Sequence, residues 1–313
     1  MNFSEEVKSQ VLKVKHESLC CKKALLAAFL RTAGSIGVKG GNIGIEMATD
    51  IKEVADRISA IIKELYGLTP VYSKSVDKPK RKDRTVFSCI DKNSIYLLID
   101  LGIIEVDKEG ANIKLNVNWE TVEDDCCKTA YIRGAFLGSG SVTLPKDDGS
   151  STTGYHLEFV FTNYQTATDF CEILSEVYFM PKLIERKETY IVYLKTIDEI
   201  TELLAVMGAD EAVEKIVGLA AKKEAKNNYN RKLNCEISNM SKQMSASAKQ
   251  INAVLKIREV LGLDSLPENL QTVAKARLQN KDLTMVELAD KLKITKSCLN
   301  HRLRKIVEIS ENI

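Results

Sequence analysis

The sequence is poor in the residues and runs that several protein classes require. Only three histidines occur, His16, His156 and His301, and their positions match no spacing typical of a metal site. No run approaches the roughly 18 consecutive apolar residues of a membrane-spanning helix, and the N-terminal MNFSEEVKSQ lacks the basic-then-apolar pattern of a signal peptide. We therefore expect a cytoplasmic protein with no membrane partner.

Two nucleotide-binding signatures are also missing. Neither G-x-x-x-x-G-K-[ST] nor G-x-G-x-x-G occurs, so we expect no obligatory cofactor. Eight cysteines without a targeting segment indicate reduced thiols rather than a disulfide framework. Four of them stand alone in the sequence and are expected to be buried: Cys89, Cys171, Cys235 and Cys298.

Charge is distributed unevenly along the 313 residues. The whole chain carries +2, but residues 226–313 contain 16 basic and 9 acidic residues, a net of +7. The preceding 225 residues contain 29 basic and 34 acidic residues, a net of −5. A basic C-terminal part favours a polyanionic partner such as nucleic acid; a solvated basic surface is the alternative.

An internal repeat lies at a spacing of 106 residues. Residues 20–36 (CCKKALLAAFLRTAGSI) and 126–142 (CCKTAYIRGAFLGSGSV) share six identities in 17 ungapped positions. After each copy the pattern predicts two strands, a helix, two strands and a helix. We therefore predict an α+β domain over 1–225, with pseudo-twofold halves at about 20–110 and 126–220. Small residues in both repeat helices predict that these helices pack closely.

The repeat resembles the LAGLIDADG helix of homing endonucleases. Residues 132–140 (IRGAFLGSG) and 26–34 (LAAFLRTAG) align with that motif. With the C-terminal segment described below, nearly the whole chain is similar to the WhiA family of bacterial regulators.

The resemblance implies that the acidic residue before each final motif glycine would hold a divalent metal. Here those positions are Ala33 and Ser139, and the other motif acid is replaced by Arg31 and Leu137. Phosphodiester cleavage needs oxygen ligands for the metal, so we predict no nuclease activity and no enzyme. Acids elsewhere, such as Asp124 or Asp125, are the alternative that would restore a site.

The paired cysteines of the repeat are candidate metal ligands with an unfavourable spacing. Cys20/Cys21 and Cys126/Cys127 lack CxxC spacing, and adjacent helical residues point in different directions. Core packing is therefore predicted for both pairs, with no metal site.

A basic run, KPKRKDR at 78–84, separates two predicted strands. Lys80, Arg81 and Lys82 at such a hairpin tip could form a secondary DNA contact, although a basic tip is often only a solvated turn.

The C-terminal part is predicted to be a helix-turn-helix domain over 250–313, after a polar linker over 226–249. Thr284 and Glu287 form a capping-box pattern for a helix that buries Val286, Leu288, Ala289 and Leu292. A turn at 293–295 precedes a helix with Leu299, Leu303 and Ile306 on one face.

The opposite face of that last helix is the predicted DNA reader. Arginine and asparagine read guanine and adenine edges, and lysine and serine commonly bind phosphates. The candidate residues are Lys296, Ser297, Asn300, His301, Arg304 and Lys305.

The family resemblance implies a nucleoid-associated transcription regulator linked to sporulation or cell division. Its implied partners are double-stranded promoter DNA and an RNA polymerase sigma factor. Two alternatives stay open: a protein-interaction scaffold with weak non-specific DNA binding, and an active LAGLIDADG endonuclease.

Overall fold

The computed structural model describes residues 2–15, 18–74, 84–108, 110–145 and 154–313. The chain divides into two compact units, Met1–Ala220 and Ala221–Ile313, and each unit has a hydrophobic core of its own. Within the described ranges, no helix is both long enough and apolar enough to cross a bilayer.

The first unit contains one arrangement twice, which confirms the predicted α+β duplication. An N-terminal helix α1 (Phe3–Lys13) precedes the first half. That half comprises α2 (Leu19–Ala33), β1 (Gly34–Lys39), β2 (Asn42–Thr49), α3 (Lys52–Tyr66), β3 (Val71–Lys74), β4 (Thr85–Cys89) and α4 (Ser94–Asp100).

The second half follows a small hairpin and a 3-10 turn. These are β5 (Ile104–Val106), β6 (Ala111–Ile113) and Trp119–Val122. The second half itself comprises α5 (Asp125–Ser139), β7 (Ser141–Thr143), β8 (His156–Phe161), α6 (Tyr164–Glu176), β9 (Lys182–Arg186), β10 (Thr189–Leu194) and α7 (Ile197–Val206).

Each half builds an antiparallel four-stranded sheet with the same strand order, β1-β2-β4-β3 and β7-β8-β10-β9. Successive side chains of a strand point to opposite faces. Ile45, Met47 and Phe87 are buried against the helices, so Glu46 and Ser88, which pair in the register, lie on the outer face.

The two repeat helices, α2 and α5, pack against each other at a distance that only small residues permit. A Cβ built at Gly134 would overlap the carbonyl oxygen of Leu25 and lie 3.0 Å from the Cβ of Ala28. A Cβ at Gly138 would overlap the hydroxyl of Thr32. The close packing predicted from the small residues is therefore present.

The second unit is entirely helical. Its first helix, α8 (Asp210–Val260), begins in the first unit and runs through residues 226–249, for which the sequence composition predicts a linker. That stretch contains neither glycine nor proline, so nothing in it ends a helix. A 3-10 turn (Leu263–Ser265) and the helices α9 (Glu268–Gln279), α10 (Met285–Lys291) and α11 (Lys296–Glu311) complete the unit.

Replacing glycine by alanine should change the stability in opposite directions at Gly134, which lies in the contact between α2 and α5, and at Gly218, which lies outside it. Gly134→Ala should lower the free energy of unfolding by about 1–3 kcal/mol, because the new methyl group meets backbone. Gly218→Ala, where nothing lies within 4 Å, should raise the free energy of unfolding by about 0.5–1 kcal/mol through helix propensity. Urea unfolding followed by circular dichroism measures both, and a Gly134→Ala protein as stable as the unsubstituted one would contradict the contact.

Candidate nucleic-acid interface

Helix α10 begins with the predicted capping box. The Thr284 hydroxyl accepts a hydrogen bond from the Glu287 amide at 3.3 Å, and the Glu287 carboxylate accepts one from the Thr284 amide at 2.8 Å. The hydrogen bond from the Thr284 backbone lowers the pKa of Glu287, so the carboxylate stays charged at the positive end of the helix. The start of the helix-turn-helix is thereby fixed by local contacts.

The apolar face of α10 differs from the prediction at one residue. Leu288 and Ala289 are buried and Leu292 is partly buried, as expected, but Val286 is 50% exposed. Met285 packs against the core instead. The reason is spacing: positions 285, 288, 289 and 292 lie on one helical face, whereas 286 does not.

The turn after α10 is a Schellman-type ending. The Lys293 amide donates to the Asp290 carbonyl at 3.0 Å, and the Ile294 amide donates to the Ala289 carbonyl at 3.1 Å. Lys293 takes the left-handed conformation (φ 52°) that this ending requires. Ile294 packs against the core, which sets the direction in which α11 leaves the turn.

Helix α11 presents one apolar and one polar face. Leu299, Leu303 and Ile306 are buried, as predicted, and the Thr295 hydroxyl caps the helix by accepting from the Cys298 amide at 3.2 Å. All six predicted reader residues are exposed: Lys296, Ser297, Asn300, His301, Arg304 and Lys305. Among the described residues, none of these six side chains has a hydrogen-bond or ion-pair partner.

A buried arginine ties the parts of this unit together. Arg277 of α9 donates to the Leu283 carbonyl at 2.7 Å and to the Ser247 hydroxyl of α8. Burial lowers the pKa of Arg277. Because Leu283 lies just before the α10 cap, this side chain holds the helix-turn-helix to α8 and α9.

The motif positions of α2 and α5 hold structural side chains. Arg31 donates to the carbonyls of Gly102 and Lys114 at 2.7 and 2.9 Å, and Leu137 is buried. Ser139 accepts a hydrogen bond from the Val160 amide at 3.2 Å, and Ala33 packs against the core. None of these side chains offers a metal a carboxylate.

The acids suggested as a replacement lie at the wrong end of the helix. Asp125 is the first residue of α5 and Ser139 the last, which separates them by about 21 Å along the axis. Asp124 directly precedes Asp125. The carboxylates of Asp124 and Asp125 are therefore too far from Ser139 to replace an acidic residue at that motif position.

A cavity of about 210 Å³ lies beside the glycines at the C-terminal end of α5, and sequence reasoning missed it. Its charged lining residues are Glu5, Lys8, Asp50 and Arg84. Arg84 donates to Asp50 at 3.0 Å, and Glu5 caps α1. Burial, aided by Arg84 and opposed by Asp50 and Glu5, lowers the pKa of Lys8 to about 8. Two cations balance two carboxylates, which is unfavourable for a divalent metal.

The depressed pKa of Lys8 predicts a pH-dependent stability. In the unfolded chain Lys8 keeps its proton up to about pH 10.5, so between pH 8 and 10.5 unfolding takes up a proton. The contribution of Lys8 to the free energy of unfolding should therefore rise with pH by roughly 2 kcal/mol across that window.

Urea midpoints of the unsubstituted protein and Lys8→Met, compared near neutral pH and near pH 10, measure this effect. The stability of the variant relative to the unsubstituted protein should fall as pH rises. Lys13→Met, which removes an exposed charge from the same helix, controls for net charge. If the stability difference between Lys8→Met and the unsubstituted protein is the same at both pH values, the pKa of Lys8 is not lowered in the folded protein.

The two sheets present carboxylates on their outer faces. Glu46 pairs with Ser35 across β1 and β2, and Glu158 pairs with Ser141 across β7 and β8. Ser35 and Ser141 are matching positions of the repeat, so the two carboxylates are equivalent by symmetry. The predicted secondary contact at Lys80, Arg81 and Lys82 lies outside the described residues.

The structure brings together two cysteine pairs that stand far apart in the sequence. The sulfur atoms of Cys20, Cys21, Cys126 and Cys127 all lie within 4.8 Å of one another. The prediction of core packing was wrong for Cys20 and Cys126, which are exposed, and right for Cys21 and Cys127, which are buried. The signal that could have revealed the cluster was the repeat itself, because it places a pair at the start of both packed helices.

Three domain families match consecutive parts of the chain. The WhiA N-terminal LAGLIDADG-like domain matches residues 19–104, the WhiA LAGLIDADG-like domain matches 128–226, and the WhiA C-terminal HTH domain matches 229–310.

Relatives and a solved structure match over the full length. Proteins named "Probable cell division protein WhiA" are 35% identical over 317 residues in Bacillus cytotoxicus (100% of this chain, 97% of that protein) and 36% identical over 319 residues in Thermoanaerobacter pseudethanolicus (100% and 98%). The crystal structure of full-length DUF199/WhiA from Thermatoga maritima has a TM-score of 0.59 and 26% identity, covering 100% of this chain and 99% of that one. The chain therefore belongs to the WhiA family.

Proposed function

We propose that this protein is a sequence-specific DNA-binding transcription regulator that reads DNA with α11. The observation that carries the proposal is the polar face of that helix. Ser297, Asn300, His301 and Arg304 follow the i, i+3, i+4, i+7 spacing of one helical face, and all four are exposed. A helix-turn-helix inserts such a face into the major groove.

Three arginines of the chain are engaged in its own packing, and Arg304 is not among them. Arg31, Arg133 and Arg277 each donate to carbonyl oxygens of this chain and serve its packing. Arg304 has no such partner among the described residues, so its guanidinium is available for a bidentate contact to guanine. Asn300, one turn earlier, has the donor and acceptor that adenine requires.

Phosphate contacts are supported by charge and by the helix end. Lys296 and Lys305 flank the reading face, and residues 226–313 carry a net charge of +7 from 16 basic and 9 acidic residues. Ser297 lies in the first turn of α11, where free amides and the helix dipole favour an anion. These contacts would set the register of the helix on the duplex.

We propose no nuclease activity for the duplicated unit. Its motif positions Ala33 and Ser139 hold no carboxylate, and the nearby cavity is charge-balanced. Glu46 and Glu158 on the outer faces of the two sheets would repel phosphates at the centre of each sheet. The proposed role of this unit is to orient the helix-turn-helix or to bind a protein partner.

The biological setting proposed here follows the family. The curated relatives are named as probable cell division proteins. We propose that this chain controls genes of cell division or sporulation at promoter DNA, associated with the nucleoid in the cytoplasm. An RNA polymerase sigma factor is the proposed protein partner.

Substitution of Arg304 tests the reading helix. Arg304→Ala should weaken binding to the preferred DNA site by roughly 1–3 kcal/mol, because a bidentate base contact is lost. Arg258→Ala removes the same charge from an exposed position of α8 and is the matched control. It should weaken binding to all sequences only slightly.

Competition titrations at physiological salt, with specific and unrelated duplexes, separate the two effects. If the Arg304→Ala and Arg258→Ala proteins bind the specific duplex with equal affinity, Arg304 makes no base-specific contact. A complete lack of preference in the unsubstituted protein would favour a protein-interaction scaffold that binds DNA non-specifically.

A further inference from the structure

Four thiols converge where the two halves of the duplicated unit meet. Cys20 and Cys21 occupy the second and third positions of α2, and Cys126 and Cys127 occupy the same positions of α5. All four sulfur atoms lie within 4.8 Å of one another, and those of Cys126 and Cys127 are 4.0 Å apart. Each half thus supplies two sulfur atoms to one cluster.

The size of the cluster fits one metal ion. Four points mutually within 4.8 Å fit inside a sphere of radius about 2.9 Å, whereas zinc–sulfur bonds are about 2.3 Å. The sulfur–sulfur edge of a tetrahedral site is about 3.8 Å by the same bond length. Small rotations of the cysteine side chains therefore suffice to close the site.

The chemistry of the donor set selects the ion. Four thiolates without a carboxylate suit a soft, tetrahedral ion, and a closed set of four cysteines is typical of structural zinc. Calcium and magnesium prefer oxygen ligands and are excluded by the same set.

The surroundings of the cluster act on the charge of the four thiols in two opposing ways. Both pairs lie in the first turn of a helix, where free amides and the dipole stabilise thiolates. A hydrogen bond with Ser18 lowers the pKa of Cys20, whereas burial raises the pKa of Cys21 and Cys127. A bound cation would offset the cost of burying the latter two thiolates.

We propose that Cys20, Cys21, Cys126 and Cys127 bind one Zn²⁺ ion that clamps the first turns of α2 and α5. Binding releases the thiol protons and forms four zinc–sulfur bonds, two to each half of the duplicated unit. Cys21 and Cys127, which are 7% and 3% exposed, form the inner side of the site. Cys20 and Cys126 are exposed and close it from the solvent side, where the ion can enter.

The other cysteines supply a control. Cys235 is exposed, contrary to the burial expected from its isolation in the sequence, and Cys298 is partly buried. Both lie outside the cluster, in the helical unit. A Cys235→Ser/Cys298→Ser protein therefore loses as many thiols as Cys20→Ser/Cys126→Ser without touching the proposed site.

The experiment is metal analysis of the full-length protein, purified under reducing conditions with zinc in the medium and no chelator. Elemental analysis should give about one zinc per chain for the unsubstituted protein and for Cys235→Ser/Cys298→Ser. The Cys20→Ser/Cys126→Ser protein should lose most of that zinc; because both substitutions are at exposed positions, we expect it to fold.

Cobalt and thermal unfolding supply independent readouts. Co²⁺ added to the chelator-treated unsubstituted protein should produce the thiolate-to-metal absorption of a tetrahedral sulfur site, and the Cys20→Ser/Cys126→Ser protein should not. Chelation should lower the thermal midpoint of the unsubstituted protein by about 5–10 °C.

The proposal is overturned if the unsubstituted protein contains no zinc and gives no cobalt spectrum. This conclusion is the same whether a thiol assay then finds eight free cysteines or finds that four of them have formed disulfides. Zinc that remains in the Cys20→Ser/Cys126→Ser protein would place the ion elsewhere. If chelation does not change the thermal midpoint, the ion does not stabilise the contact between α2 and α5.

Discussion

The packing of α2 against α5 is the constraint on which the duplicated unit depends. Two helix backbones can approach this closely only where one of them lacks side chains, and Gly134 and Gly138 supply that space. The contact places two equivalent sheets on either side of a pseudo-twofold axis and brings the helix ends of both halves together. The cysteine cluster lies at one end of this contact, and the motif positions Ala33 and Ser139 lie at the other.

The LAGLIDADG-like motif of this chain has the small residues that the contact needs and lacks the acidic residues of the motif. The helices pack through the small residues of the motif, Gly134 and Gly138. The positions that would hold a metal carry Ala33 and Ser139, and the Ser139 hydroxyl accepts a bond from the sheet. The duplicated unit therefore has the helix packing of the motif without its acidic residues, while the exposed polar side chains proposed to read DNA lie on α11 of the helical unit.

Local patterns predicted most of the fold, and long-range contacts account for what they missed. The repeat, the helical spacings and the Thr284 capping box are readable because each depends on neighbouring residues. Val286 is an exception of local origin, because the buried face of α10 is formed by positions 285, 288, 289 and 292 and residue 286 lies off that face. The cysteine cluster and the half-buried environment of Lys8 arise only when distant segments meet, so no spacing within one segment reveals them. The DNA contacts of the six α11 residues stay a prediction, because the exposure of a side chain does not identify what it binds.

The measurement that tests the central claim most directly is selection of sheared genomic DNA by the full-length protein. The protein is incubated with the fragments at physiological salt with Mg²⁺, and both the retained fragments and their ends are sequenced. A regulator that reads DNA through α11 and does not cleave it should enrich a few promoter regions with unaltered ends. Uniform retention of all fragments, or new ends at defined positions, would contradict the account.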